Sequence, residues 1–76
     1  MANRTVYDVT PHEEGWQVKR RGAVRASSVH STKEEAIQAA RALAHNNKPS
    51  QVVVHRRDGT IEREWTYQDD PYPPEG

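Results

Sequence analysis

The side chains able to do chemistry in this 76-residue chain fall into four groups. Histidines come first: His12, His30, His45 and His55. Imidazole is a common metal ligand, yet none of the four stands in a His-x-His or His-x-x-x-His spacing, and no cysteine is present to assist. His12-Glu13-Glu14 sets two carboxylates beside one imidazole with no second imidazole to frame an ion. Solvated or hydrogen-bonded histidine is the expectation, and no metal or cofactor site is assigned. Serines form the second group. Ser27, Ser28 and Ser31 lie near histidines, but no Gly-x-Ser-x-Gly elbow surrounds them. Hydrogen bonds to backbone ahead of a helix account for them without catalysis. The third group is the pair Glu62 and Glu64, two residues apart and hence on one face of a strand. Opposite partners such as Arg57, His55 or Lys19 would make them cross-strand ion pairs rather than an acid and a base. No catalytic residue is assigned.

Basic residues are the fourth group and the most informative. Lys19, Arg20, Arg21 and Arg25 cluster in one stretch, and Arg56 and Arg57 in another. If two hairpins bring the stretches together, Lys19, Arg21, Arg25, Arg56 and Arg57 form a candidate binding patch able to contact phosphates. Gln17 with Tyr7 or Trp65 would add stacking. A solvated charged face is the plainer reading of the same residues.

Elements must hold these groups in place. Thr5 to Val9 reads as a strand, β-branched and aromatic. Pro11 to Gly15 reads as a turn, and Trp16 to Arg20 alternates as a second strand. Ala23 to His30 is a short third strand or an extended connection, with strand favoured. Thr32 and Glu35 have capping-box spacing, Ser31 and Glu34 being the competing pair. Ala36, Ile37, Ala40, Leu43 and Ala44 then repeat with helical period, so a helix is expected over about 33–45. Asn46-Asn47 suits a left-handed C-cap, and Pro49 blocks continuation. Val52-Val53-Val54 marks the strongest strand. Asp58-Gly59 then makes a tight turn into Ile61 to Thr66, with Ile61, Arg63 and Trp65 on one side. The expected fold is α+β: a mainly antiparallel sheet of four to five strands, ordered β-β-(β)-α-β-β, with one helix on one face. The expected core is Val6, Trp16, Val18, Ile37, Ala40, Leu43, Val52, Val54, Ile61 and Trp65. The opposite sheet face is left with no cover.

Length allows one domain, assigned to residues 1–67. Residues 68–76 form an acidic tail with Asp69, Asp70 and Glu75 and three prolines. The formal charge of zero therefore combines a body of 11 basic and 8 acidic residues, about +3, with a tail of −3. Tyr72, Pro73 and Pro74 are the candidate contact residues of that tail, either on the uncovered sheet face or on a partner. No stretch approaches the roughly 18 apolar residues of a membrane span. Met1 to Thr5 has no apolar run, so neither signal peptide nor membrane contact is expected and a cytoplasmic location is.

Several strings together resemble the DUF2188 family of small bacterial and archaeal domains. They are TPHEEGWQVKRRGAVRASSVHSTKEEAIQAAR, VVVHRRDGTIEREWTY and DPYPPEG. The resemblance runs from about Tyr7 to Gly76. Within it fall Gly15-Trp16 with Val18-Lys19, Arg25-Ala26-Ser27-Ser28, the capped alanine-rich helix, His55 with Arg57-Asp58-Gly59, and Asp70-Pro71-Tyr72-Pro73-Pro74. This chain has Lys48-Pro49 where the family often has glycine, and Arg56 between His55 and Arg57 where it often has another. Because the family has no established activity, the resemblance implies a fold and not a mechanism.

Two functions fit these features. One is a small interaction or regulatory module that binds a protein or a second copy of itself, since one sheet face and two strand edges stand free. The alternative is a nucleic-acid binder that uses the basic patch, against which a charge of about +3 diluted by glutamates argues. No small-molecule substrate is evident.

Overall fold

The computed structural model describes residues 4–68. It holds five strands and one helix: β1 Thr5–His12, β2 Gly15–Arg20, β3 Ser28–His30, α1 Lys33–Asn46, β4 Ser50–His55 and β5 Ile61–Tyr67. The strands form one sheet in the order β3-β2-β1-β4-β5. Three neighbouring pairs are antiparallel, and the central pair, β1 with β4, is parallel. The expected α+β architecture is therefore present, with a mixed and mostly antiparallel sheet. A parallel pair needs a crossover, and here β2, β3 and α1 together make it.

The helix begins as its sequence dictates. Thr32 is extended, and its Oγ1 accepts from the Glu35 backbone N–H at 3.1 Å. The Ser31 hydroxyl donates to the Glu35 carboxylate at 3.2 Å, so the competing serine supports the same cap. The far end differs from expectation. Asn47 has φ −134°, not a left-handed value, and its side chain donates to the Leu43 carbonyl at 2.8 Å. Buried Ser50 donates to the Ala44 carbonyl at 2.5 Å, so a β4 side chain ties down the last turn. Two side chains thus bond the Leu43 and Ala44 carbonyls, and no left-handed residue is required.

The core lies between α1 and one sheet face. Ala36, Ile37, Ala40 and Ala44 meet Tyr7, Val9, Trp16, Val18, Val52 and Val54. Alanine on the helix side brings helix and sheet close, so valines of modest size fill the gap. Leu43, Trp65 and Tyr67 pack at the margin of this cluster. Two expected core members are displaced. Val6 is out of register, because Tyr7 and Val9 point to the helix and a strand alternates. Ile61 is 50% exposed. The register shifts between Val54 and His55, where Val54 opposes Arg63 but His55 opposes Ile61. Glu62 is thus an inserted residue, and the bulge turns Ile61 away from the helix side. Glu62 reaches the helix N-terminus instead and accepts from Lys33 Nζ at 2.6 Å. Glu64 accepts from Gln51 at 2.7 Å. Neither glutamate pairs with Arg57, His55 or Lys19.

The first turn is shorter than expected. β1 extends through Pro11 to His12, and Gly15 already pairs within the sheet. Proline is tolerated there because the parallel ladder with β4 ends at Val9, leaving one side of β1 without a partner. Gly15 has φ +138°, and a Cβ there would strike the backbone carbonyl of His30 on β3. The third strand reduces to three residues, with the 21–27 stretch outside it. At the other hairpin the Asp58-Gly59 turn forms as expected. Asp58 Oδ1 accepts from the Thr60 N–H and hydroxyl, and Gly59 has φ +95°.

Candidate functional site

Alternation along β1 decides where the polar chemistry sits. Tyr7 and Val9 face α1, so Asp8 between them projects onto the open face. Lys19 on β2 and Val53 on β4 are its direct neighbours across the sheet. Arg21, just past β2, donates its backbone N–H to the Val6 carbonyl at 2.7 Å, which holds it beside the start of β1. From there its guanidinium grips Asp8 with two bonds, Nε to Oδ2 at 3.1 Å and Nη2 to Oδ1 at 2.7 Å. His55 Nε2 lies 2.9 Å from the same Oδ1. One carboxylate therefore orients a cation from one side and an imidazole from the other.

Burial pushes the Asp8 carboxyl up, but hydrogen bonds from Arg21 and His55 outweigh it, and the net effect is a value below the usual carboxylate range. Asp8 in turn raises the Arg21 guanidinium. Next to this cluster, Gln17 Nε2 donates to Thr10 Oγ1 at 3.1 Å. Together with Lys19, Arg20 and Gly22 these side chains line a depression of about 350 Å³ on the open face. Beneath it Val53 is 3% exposed although it faces away from the helix. Polar neighbours cover it.

The five residues of the expected patch do not gather. Lys19 and Arg21 share the depression. Arg25 is exposed on the connection between β2 and β3. Arg56 and Arg57 sit after β4, at the opposite end of the sheet from Arg21, since β1 and β4 run parallel and β2 runs back. Arg56 bonds the Thr60 hydroxyl and the Ile61 carbonyl of its own turn, both at 3.2 Å. Arg57 lies 5.0 Å over the Trp16 ring on the helix side, and Lys33 lies 5.5 Å from the same ring. Tyr7 is buried beneath the helix and is withdrawn from any stacking surface. The tail residues Tyr72, Pro73 and Pro74 lie outside the described residues.

Sequence reasoning passed over Asp8, Thr10 and the role of His55. A signal existed for Asp8, an acid inside a short β-branched strand. Its partners stayed hidden because they stand 13 and 47 residues away.

A second surface is the outer edge of β5. It is an end strand of seven residues, bonded to β4 on one side. Two guanidiniums lie over the Trp65 ring, Arg41 at 4.9 Å and Arg63 at 5.1 Å from its centre. Arg41 Nε also donates to the Tyr67 hydroxyl at 2.9 Å. The other edge strand, β3, has three residues.

No helix among the described residues is long and apolar enough to cross a membrane. No solved structure shows a significant match to this chain. The uncharacterized protein YdaT of Bacillus subtilis (strain 168) is 44% identical over 55 residues. That alignment covers 72% of this chain and 36% of the relative, so the chain spans about a third of the length of the protein it matches. A family model described as an uncharacterized protein conserved in bacteria matches residues 7–67. The matched span contains all of the sheet except the first residues of β1, and with it the Asp8 cluster and the β5 edge: the chain belongs to the DUF2188 family.

Proposed function

We propose that this chain is a small interaction module, without a catalytic role, that joins a second copy of itself through the free edge of β5. The observation that carries this reading is the edge itself: a long, exposed strand with one side of its backbone unpaired in the sheet among the described residues. Such an edge is a template for another strand. A core built largely of alanine and valine also gains from further burial.

The regular part of β5, residues 63–67, offers a self-pairing register centred on Trp65 that uses all five residues. With Trp65 on a two-fold axis, Trp65 opposes its own copy, Arg63 opposes Tyr67, and Glu64 opposes Thr66. No like charges meet. Centring on Glu64 or on Arg63 would oppose each to itself, which cross-strand electrostatics disfavours. A nucleic-acid role draws less support. Arg21 and Arg56 are engaged with intramolecular acceptors, Arg57 with the Trp16 ring, and they stand at two ends of the sheet.

Substitution at exposed Thr66 tests the register without touching the core. Thr66→Glu sets two symmetry-related Glu–Glu pairs, and Thr66→Lys sets two Glu–Lys pairs. At about 0.2–1 kcal/mol per pair, the dimer constant should shift by about 2- to 30-fold, weaker for Glu and tighter for Lys. Sedimentation equilibrium over a concentration series reads both. A chain that stays monomeric at every concentration, in all three forms, ends the self-pairing reading.

A further inference from the structure

The depression on the open face is lined by donors and by one acceptor that is already used. Lys19, Arg21, Thr10, Gln17 and His55 all present hydrogens or can do so, while Arg20, opposite helix-facing Tyr7, borders the depression from the end of β2. Asp8 is the acceptor, and Arg21 and His55 occupy both of its oxygens. Among the described residues neither Lys19 nor Arg20 has a carboxylate within ion-pair distance. Gln17 donates to the Thr10 oxygen, which leaves the Thr10 hydroxyl hydrogen free to point elsewhere. Arg21 spends Nε and one Nη2 hydrogen on Asp8, which leaves Nη1 free. A second hollow of about 300 Å³, lined by Arg20, Arg21, Gly22 and Ala23, adjoins the first.

From this donor set we infer that the open-face depression is an oxyanion site that takes the phosphate group of a small phosphomonoester. The ligand must be rich in acceptors and negatively charged, because the lining offers donors and a surplus of cations once Arg21 is set against Asp8. Thr10 on β1, Lys19 and Arg21 on and beyond β2, and His55 on β4 approach from three strands. Donors converging from three directions suit a tetrahedral group with three free oxygens better than a planar carboxylate with two. Asp8 then acts as a positioning residue that fixes Arg21 and His55 before a ligand arrives. The volume admits the phosphate and a small organic part, since ligand sites begin at about 300 Å³. The site lies away from the β5 edge and does not depend on self-pairing.

Titration of the ¹⁵N-labelled full chain tests the assignment. Inorganic phosphate and phenyl phosphate are compared with acetate and chloride at matched ionic strength, and with a single-stranded oligonucleotide. Phosphate and phenyl phosphate should move the amide signals of 19–22 and His55 saturably, and acetate and chloride should not. Lys19→Gln should weaken phosphate binding by at least about tenfold, the loss of one charge-assisted contact, and Arg20→Gln, on the helix-side parity of β2, should weaken it less. Circular dichroism establishes that both variants remain folded. Arg21→Lys keeps the charge but loses the fork, and should weaken binding as well. Equal shifts with acetate or chloride overturn the site. So does wild-type affinity in Lys19→Gln, and so does oligonucleotide binding that phosphate does not displace.

Discussion

The two faces of this sheet are built from the same five strands and solve opposite problems. On the helix side, Tyr7, Val9, Val18, Val52 and Val54 bury apolar surface against an alanine stripe. On the open side, the alternate residues of the same strands include Asp8, Thr10, Gln17, Lys19 and His55. The first face is held by non-directional packing, where volume matters and partners are interchangeable. The second is held by directed bonds to one carboxylate, where identity matters. Val53 shows the difference within a single strand. It is almost as buried as Val52 and Val54, yet its cover is polar. A face that needed no function could have been left as scattered solvated charge. Here it is organised around Asp8.

The largest expected break in this comparison comes from the helix side. Trp16 is 8% exposed and joins β2 to the helix-side cluster, with Lys33 and Arg57 over its ring. Trp16→Ala should cost about 3–5 kcal/mol, comparable to the whole stability of a small domain, which starts at about 5 kcal/mol. Urea unfolding followed by circular dichroism measures it. A midpoint unchanged from wild type would remove Trp16 from the core.

A smaller and sharper test uses one substitution on each face. Valine to threonine conserves shape and adds a hydroxyl. At Val54, fully buried on the helix side, that hydroxyl has apolar neighbours, and the cost should be about 1–3 kcal/mol. At Val53 the flanking residues are Asp8 and Glu64, acceptors that the hydroxyl can reach, and the cost should fall below about 1 kcal/mol. Thermal melts of the two variants give the ranking. Equal losses would mean that both faces are apolar interiors.

How much of this was legible beforehand follows the range of the interactions. The helix was legible from Thr32, Glu35 and the alanine stripe, all within fourteen residues. Both hairpins were legible from Gly15 and Asp58-Gly59, which act over two or three neighbours. The parallel pairing of β1 with β4 was not, because it joins residues 45 apart and no local signal carries it. Everything on the open face depends on that pairing, since it sets His55 beside Asp8. The register of β1 was misread for a different reason. Val6 and Val9 have opposite parity, so hydrophobicity alone offers two faces, and Asp8 breaks the tie only if a charge is assumed to avoid the helix. Ile61 was misplaced because a bulge leaves no mark in a pattern of alternating types. The spread of the basic residues was hidden for want of strand direction. Adjacent hairpins do bring β2 near β4, but their arginines are at opposite ends.

The smallest effect is the most specific to the open face. Asp8 is pulled below the usual carboxylate range, its burial being outweighed by Arg21 and His55. A depressed folded-state value means that the unfolded chain binds the proton more readily. The stabilisation is therefore present above the unfolded value near 3.8 and is lost as pH falls through the folded one. Arg21 is more than half exposed, so water screens part of the interaction, and about 1 kcal/mol is expected at neutral pH. Asp8→Asn should lose that amount at pH 7 and progressively less as pH falls through the folded-state value, below which wild type is protonated too. Denaturant midpoints of both proteins across that range should converge as the pH drops. A constant gap would show that asparagine disturbs the packing around Val53, and that the Asp8 charge holds nothing together.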